Sequence, residues 1–125
     1  MPLLWLAQEQ NDNFVSLAVM KKIAKILEIP DMNVYEVASF YTMYNRTKVG
    51  KYHFQMCGTT PCLLRGSREV MNKALQYLGV EKNHMTPDGL FTISEVECLG
   101  ACVNAPMMQV NNQKFYEVLF TLNNI

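Results

Sequence analysis

The sequence predicts an α/β fold in which a small sheet domain follows a short helical region. Apolar residues recur at helical spacing in the first part of the chain, and from Lys51 their period drops to two. A strand, a helix and a second strand then fit residues 51–97, and Asn111-Asn112 fit the turn of a β-hairpin. The two expected regions are a small N-terminal helical bundle over 1–50 and a β-α-β unit with a hairpin over 51–125.

The composition places few constraints on function but excludes some classes. The chain has 125 residues, half of them hydrophobic, and 11 basic residues balance 11 acidic ones. A net charge of zero gives no indication of nucleic acid or of an anionic membrane surface as a partner. No apolar run reaches the roughly 18 residues of a membrane span, so we expect no direct membrane insertion. The first ten residues hold Glu9 and no Lys or Arg, which is not typical of a signal or transit peptide.

Three helices are predicted before residue 50, over residues 3–10, about 14–28 and about 33–44. We expect Asp12 or Asn13 to cap the second helix and Pro30 to end it. Asn33 and Glu36 resemble the capping box of a third helix that continues to about Tyr44.

The third predicted helix is apolar almost all round. Its only polar residues before Tyr44 are Glu36, Ser39 and Thr42, which form one narrow stripe. It is either a central core helix or a surface that faces a partner, because Tyr and Met are enriched at interfaces. Together with the basic linker 45–50, this helix is the predicted docking surface.

In the second region, a strand is predicted to end at Cys57 and another, over 91–97, to end at Cys98. We expect one helix between them, capped by Thr60 with Pro61 at its first position. The hairpin strands are predicted at 107–110 and 114–118, with a last helix starting at Thr121.

The chain has four cysteines, in the pattern C-x4-C followed by C-x3-C: Cys57, Cys62, Cys98 and Cys102. In a β-α-β unit with neighbouring parallel strands, the carboxyl ends of both strands lie at one edge of the sheet. Cys57 and Cys98 end the two strands, Cys62 lies in the first turn of the helix, and Cys102 closes the loop that follows. The topology therefore predicts that all four sulfurs meet at one edge.

A sulfur-rich site of this kind favours an iron–sulfur cluster. The helix that starts at Pro61 would direct its positive end toward the site, and Gly58 and Gly100 allow close approach of the backbone. Other interpretations remain open from the residues alone. They are a structural zinc site, although no C-x2-C knuckle is present, two disulfides, and four unrelated buried cysteines.

Other residues give weaker signals. His53 is predicted to lie on a strand face and His84 in a loop. The nine methionines are interpreted as core and interface residues. The sequence contains no Gly-rich phosphate loop and no Ser/His/Asp set, so we predict no complete catalytic site in this chain.

The cysteine spacing resembles that of the thioredoxin-like [2Fe–2S] ferredoxin family. Within that family, the segments around the cysteines and residues 40–44 and 50–53 are similar to the small peripheral-arm subunits of respiratory complex I, NADH:ubiquinone oxidoreductase, closest to mitochondrial and alphaproteobacterial forms. By this resemblance the sequence begins part-way into the first expected helix and ends early in the last.

The resemblance implies a thioredoxin-like domain with one [2Fe–2S] cluster held by Cys57, Cys62, Cys98 and Cys102. It implies a redox subunit that docks on the flavoprotein subunit carrying FMN and oxidising NADH, and that lies near the large iron–sulfur subunit. The implied location is the matrix side of the mitochondrial inner membrane, or the cytoplasmic face in a bacterium. A related subunit of an NAD-linked hydrogenase or formate dehydrogenase is the alternative within the family.

Overall fold

The computed structural model describes residues 1–118, which divide into a unit over Met1–Val49 and a second unit that begins at Gly50. The first unit contains helices α1 (Pro2–Gln10), α2 (Leu17–Leu27) and α3 (Asp31–Phe40). The second contains β1 (Tyr52–Cys57), α4 (Thr60–Leu64), α5 (Ser67–Leu78), β2 (Phe91–Val96), a 3-10 turn (Cys102–Asn104), β3 (Met107–Val110) and β4 (Lys114–Glu117). None of the helices in residues 1–118 is long and apolar enough to cross a membrane.

The predicted caps in the helical unit were wrong. Asp12 and Asn13 have positive φ, whereas an N-cap residue needs an extended backbone. Ser16 has that conformation, and its hydroxyl accepts a hydrogen bond from the Val19 amide at 3.3 Å. Glu28, in the left-handed region, ends α2, and Pro30 is instead the N-cap of α3. The start of α3 therefore lies ahead of the predicted capping box.

Helix α3 ends at Phe40, four residues before the predicted end, and the chain then turns back onto α1. Gln8 explains the turn, since its side chain is buried and donates to the Met43 carbonyl at 3.0 Å. The same side chain accepts from the Asn45 amide at 2.6 Å. Tyr44 is 3% exposed and its hydroxyl donates to the Met1 carbonyl at 3.1 Å. Tyr44 is therefore a core residue of this unit and not part of a docking surface.

Helix α3 presents both of the environments that its composition predicted. Val34 and Ala38 are buried in the core of the helical unit. Phe40 is 77% exposed and Tyr41 39% exposed. One face of this helix is therefore core, while large apolar side chains remain exposed at its carboxyl end.

The second unit is built on a four-stranded sheet of order β2-β1-β3-β4. Strands β1 and β2 are parallel neighbours, as the β-α-β interpretation predicted, and Cys57 is the register partner of Val96. Strand β3 pairs antiparallel with β1, and β4 with β3. The carboxyl ends of β1 and β2 therefore lie side by side at one edge.

The two faces of the sheet differ in chemistry. One face carries Met56 and Ile93, which pack against Met71 and other apolar residues of α5. The opposite face of β1 carries His53 and Gln55, both buried. His53 lies on a strand face as predicted, with Nε2 at 2.6 Å from the Ser94 hydroxyl.

The helix predicted between the two strands is broken into α4 and α5. Gly66 separates them with φ of +85°, in the left-handed region. Thr59 and not Thr60 is the N-cap of α4, which has only five residues. Cys62 lies within this short helix, as its third residue.

The β-hairpin forms as predicted, with one more residue in its connection. Asn111 and Asn112 both have positive φ, and the Gln113 amide donates to the Val110 carbonyl at 3.0 Å. Val110 pairs with Lys114, so the connection has three residues instead of two. The helix predicted from Thr121 lies outside the described residues.

Candidate metal centre

Each of the four cysteines is placed by an element that ends or begins at the same edge of the sheet. Cys57 is the last residue of β1, and Cys62 is the third residue of α4. Cys98 lies two residues after the end of β2, and Cys102 begins the 3-10 turn. The four cysteines are free thiols and not disulfides.

The first pair of cysteines belongs to a small hydrophobic cluster. Cys57 and Cys62 are each 1% exposed and pack with Ala105 and Met107. Leu99, from the loop after β2, packs against the same cluster. The fold therefore fixes this pair through the strand, the short helix and the apolar residues around them.

The second pair lies on an exposed loop. The Sγ atoms of Cys98 and Cys102 are 3.5 Å apart. The Gly100 amide donates to Cys98 Sγ at 3.4 Å, and Gly100 has φ of +76°. Gly100 thus has a backbone conformation that favours glycine, and its N–H is directed at one of the sulfurs.

The hydrogen bonds at Cys57 favour its thiolate form. Burial by itself raises the pKa of this thiol, but hydrogen bonds from the Thr59 hydroxyl, the Thr59 amide, the Cys62 thiol and the Leu99 amide outweigh burial and lower the pKa. The pKa of Cys62 is raised, first by burial and then by the hydrogen bond that its thiol donates to Cys57. Within this pair, Cys57 Sγ therefore accepts a hydrogen bond and the Cys62 thiol donates it.

The exposed pair is arranged in the same way. The Gly100 amide, followed by the Cys102 thiol, lowers the pKa of Cys98, and the Thr59 hydroxyl adds to this effect. The pKa of Cys102 is raised, chiefly by its hydrogen bond to Cys98. A smaller electrostatic effect of Cys57 raises the pKa of both members of this pair.

The sulfurs therefore stand as two contacting pairs. Within residues 1–118, no three His, Cys, Asp or Glu side chains are arranged as a site for a single metal ion. In a [2Fe–2S] cluster each iron is completed by two cysteine thiolates, and amides near the sulfurs stabilise the negative charge. The donor set, its division into two pairs and the amides of Leu99 and Gly100 fit this group.

Two contributors to the site were missed at the sequence level. Thr59 was assigned no role from the sequence, yet its Oγ1 lies 3.1 Å from Cys57 Sγ. Met107 was interpreted only as a strand residue, yet its amide acts on Cys62. A signal existed for Thr59, because a hydroxyl two residues after a ligand cysteine is within reach of its sulfur. No sequence signal identifies a backbone amide that comes from another strand.

Comparison with known proteins gives relatives of high similarity. The chain is 55% identical to the mitochondrial NADH dehydrogenase [ubiquinone] flavoprotein 2 of Dictyostelium discoideum, over 99% of this chain and 50% of the relative. It is 50% identical to a subunit of the NADH-quinone oxidoreductase of Rickettsia typhi, over 95% of this chain and 69% of the relative. The chain thus spans half the length of the first relative and about two thirds of the second.

The fold also occurs in solved structures of lower sequence similarity. The NAD+-reducing [NiFe]-hydrogenase in its air-oxidised state matches 95% of this chain and 21% of the hydrogenase chain, with a TM-score of 0.77 and 17% identity. The H2-reduced state of such an enzyme matches 88% of this chain and 19% of the hydrogenase chain, with a TM-score of 0.72 and 18% identity. The model of the thioredoxin-like [2Fe–2S] ferredoxin family matches residues 1–122. As the resemblance of the cysteine motifs predicted, the chain belongs to the thioredoxin-like [2Fe–2S] ferredoxin family.

Proposed function

We propose that this chain is an electron-carrier subunit of NADH:ubiquinone oxidoreductase, and that Cys57, Cys62, Cys98 and Cys102 hold its [2Fe–2S] cluster. When bound, such a cluster takes up and releases one electron. The observation that supports the proposal is the placement of the four cysteines, as two pairs, at one edge of the sheet. The relatives at 50–55% identity support the assignment to complex I over the other members of the family.

The chain's own residues have three tasks in this function. The cysteines supply four thiolates, and the amides of Leu99 and Gly100 favour the thiolate forms of Cys57 and Cys98. The apolar cluster around Cys57 and Cys62 keeps water from one side of the site. Catalysis of NADH oxidation belongs, in this proposal, to a partner subunit that carries FMN and binds NADH.

The cofactor is tested by chemical analysis and spectroscopy of the purified chain. We expect two irons and two acid-labile sulfides per chain, and an EPR signal that appears on one-electron reduction. Zinc without acid-labile sulfide would contradict the proposal and favour a structural zinc module. Identification of the proteins that co-purify then distinguishes complex I from an NAD-linked hydrogenase or formate dehydrogenase.

The proposed partners are the FMN-binding and NADH-binding flavoprotein subunit and the large iron–sulfur subunit of the peripheral arm. The assembly would lie on the matrix side of the mitochondrial inner membrane or, in a bacterium, on the cytoplasmic face. Two exposed apolar surfaces are candidates for docking. Leu64 and Val103, beside the cysteines, are 82% and 99% exposed, and Phe40 and Tyr41 are exposed at the end of α3.

The docking surface is tested with one charged substitution on each surface. Val103→Asp examines the surface beside the cysteines, and Tyr41→Asp examines the end of α3. Tyr77→Asp is the matched control, because Tyr77 is 91% exposed near the end of α5. We expect at least one of the first two variants to lose co-purification with the flavoprotein while its EPR signal is retained. If both variants assemble as well as the control, neither surface is the docking site.

A further inference from the structure

Thr59 stands at the start of α4 but does not cap it. Its backbone is extended, with φ of −90° and ψ of 165°, as an N-cap residue requires, and its carbonyl accepts from the Leu63 amide at 2.9 Å. A threonine in this position ordinarily turns its hydroxyl onto an amide of the first helical turn, which stabilises the helix. No such side-chain bond is formed by Thr59. The Thr59 hydroxyl is therefore available to form a hydrogen bond outside α4.

The hydroxyl of Thr59 is directed at the cysteine site. Its Oγ1 lies 3.1 Å from Cys57 Sγ, within hydrogen-bonding distance for sulfur, and it also acts on Cys98. Thr59 is only partly buried, so the contact is held by the turn between β1 and α4 and not by close packing.

The direction of this hydrogen bond follows from the chemistry of the ligands. A cysteine that holds iron does so as a thiolate and has no proton to donate. The hydroxyl is then the only donor in the Thr59–Cys57 contact, and the sulfur is the acceptor. Hydrogen bonds to the sulfurs of an iron–sulfur cluster help to set its reduction potential, because they stabilise negative charge.

We propose that the Thr59 hydroxyl is a determinant of the reduction potential of the site, acting through its hydrogen bond to Cys57 Sγ. The inference rests on the proposed function, since it requires the four cysteines to hold a [2Fe–2S] cluster. One-electron reduction adds one negative charge to the site, and the Thr59 proton stays on its oxygen. Loss of the hydroxyl therefore destabilises the reduced form more than the oxidised form and lowers the potential.

The experiment is a redox titration of the full chain followed by the EPR signal of the reduced site. Thr59→Val removes the hydroxyl and keeps the shape of the side chain, whereas Thr59→Ser keeps the hydroxyl. Thr60→Val is the matched control, because it makes the same change one residue later at an exposed position. We expect Thr59→Val to lower the ratio of reduced to oxidised chain severalfold at a fixed ambient potential, where a tenfold change corresponds to about 59 mV. Thr59→Ser and Thr60→Val are expected to remain close to the wild type.

The outcomes separate this inference from the function on which it rests. Wild-type chain without iron and sulfide would overturn both. A wild type with the cluster and an unchanged potential in Thr59→Val would overturn only the role of Thr59, as would an equal shift in Thr60→Val. If Thr59→Val does not keep its cluster, Thr59→Ala is titrated in its place. Loss of the cluster in both variants, with retention in Thr59→Ser, would make the hydroxyl a requirement for holding the site and would also overturn the inference.

Discussion

The two cysteine pairs present the same chemistry in two different settings. Cys57 and Cys62 are each 1% exposed and belong to a hydrophobic cluster at the end of β1. Cys98 and Cys102 are exposed, on a loop whose turn depends on the positive φ of Gly100. In both pairs, one thiol donates a hydrogen bond to the other. The two pairs therefore have the same hydrogen bonding but differ in how deeply they are buried.

This difference indicates that the two pairs are held in different ways. The buried pair is fixed by the core, because moving either residue would disturb apolar packing. The exposed pair is fixed by backbone conformation and by hydrogen bonds, which cost less to rearrange. The exposed side is therefore the side open to solvent and to a partner, and variants of the two pairs should behave differently.

Serine in place of any one of the four cysteines is expected to have the largest effect, because each iron requires two thiolates. All four variants should lose or destabilise the cluster, as measured by iron and sulfide content and by EPR. Cys62→Ser should in addition lower the free energy of unfolding by about 1–3 kcal/mol, since it buries a hydroxyl in an apolar cluster. Cys102→Ser is the matched exposed variant and should show little of this second effect. A Cys102→Ser chain with two irons and an unchanged spectrum would contradict the ligand set.

Alkylation of the metal-free chain should distinguish the pairs directly. Cys98 combines exposure with a lowered pKa, first through the Gly100 amide, whereas burial raises the pKa of Cys62. We expect iodoacetamide to modify Cys98 roughly a hundredfold faster than Cys62, which is the factor for a local opening that costs about 3 kcal/mol. Peptide mass spectrometry over time gives the four rates. Equal rates at Cys98 and Cys62 would mean that the buried pair is not held by the core.

The placement of the cysteines at one edge of the sheet could be predicted from the sequence, because it depends on topology. Alternation from Tyr52 to Cys57 identified β1, and the helix predicted between β1 and β2 is the kind of connection that a parallel pair uses. Local geometry was harder to predict. Asp12 and Asn13 are residue types that often cap helices, but here their backbones are left-handed. The break between α4 and α5 at Gly66 does not interrupt the apolar spacing, so the sequence pattern did not indicate it.

The stability of the second unit should depend on pH through His53, which is buried on β1. Burial lowers the pKa of His53 to about 4. Between its ordinary value of 6.5 and this value, the unfolded chain binds a proton that the folded chain does not, so stability falls as the pH falls through that window. The loss amounts to roughly 3 kcal/mol over the whole window and about 2 kcal/mol between pH 7 and pH 5.

Replacement of His53 by Gln should remove this contribution. Thermal melting of the cluster-containing chain at pH 7 and pH 5 should show a smaller fall in Tm for His53→Gln than for the wild type, by several degrees. His84→Gln is the control, because it makes the same substitution at an exposed loop position. The same fall in His53→Gln as in the wild type would show that another group is responsible. Loss of the cluster in acid should affect the wild type and both variants equally, so it does not change the difference between their Tm values.

Residues that act on the sulfurs through a hydrogen bond lie largely beyond sequence reasoning. The Met107 amide reaches Cys62 from β3, so its role depends on strand register and not on any side chain. The docking prediction illustrates the same limit, because Tyr41 and Tyr44 look alike in sequence. Only the hydrogen bond of Tyr44 to the Met1 carbonyl and its burial show that a charge there would damage the core.

The smallest expected effect is that of replacing a glycine beside the cysteines. The two glycines at these positions, Gly58 and Gly100, are needed for different reasons. A Cβ on Gly58 would meet the side chain of Glu95, which would have to move. A Cβ on Gly100 would meet nothing within 4 Å, and only its φ of +76° limits this position. Gly100→Val should therefore cost about 1–3 kcal/mol of backbone strain without any clash.

Gly100→Val should shift the exposed turn and weaken the hydrogen bond from the residue-100 amide to Cys98 Sγ, which is 3.4 Å long in this structure. We expect a lower reduction potential or a shorter cluster lifetime, with all four ligands still present. Gly100→Asn is the matched variant, because Asn enters the left-handed region more readily than other residues with a side chain. It should lie close to the wild type in redox titration and in the rate of bleaching. If Gly100→Val equals Gly100→Asn and both equal the wild type, Gly100 is only a permissive loop residue. The exposed pair would then be held by the contact between its own two sulfurs and not by the backbone turn.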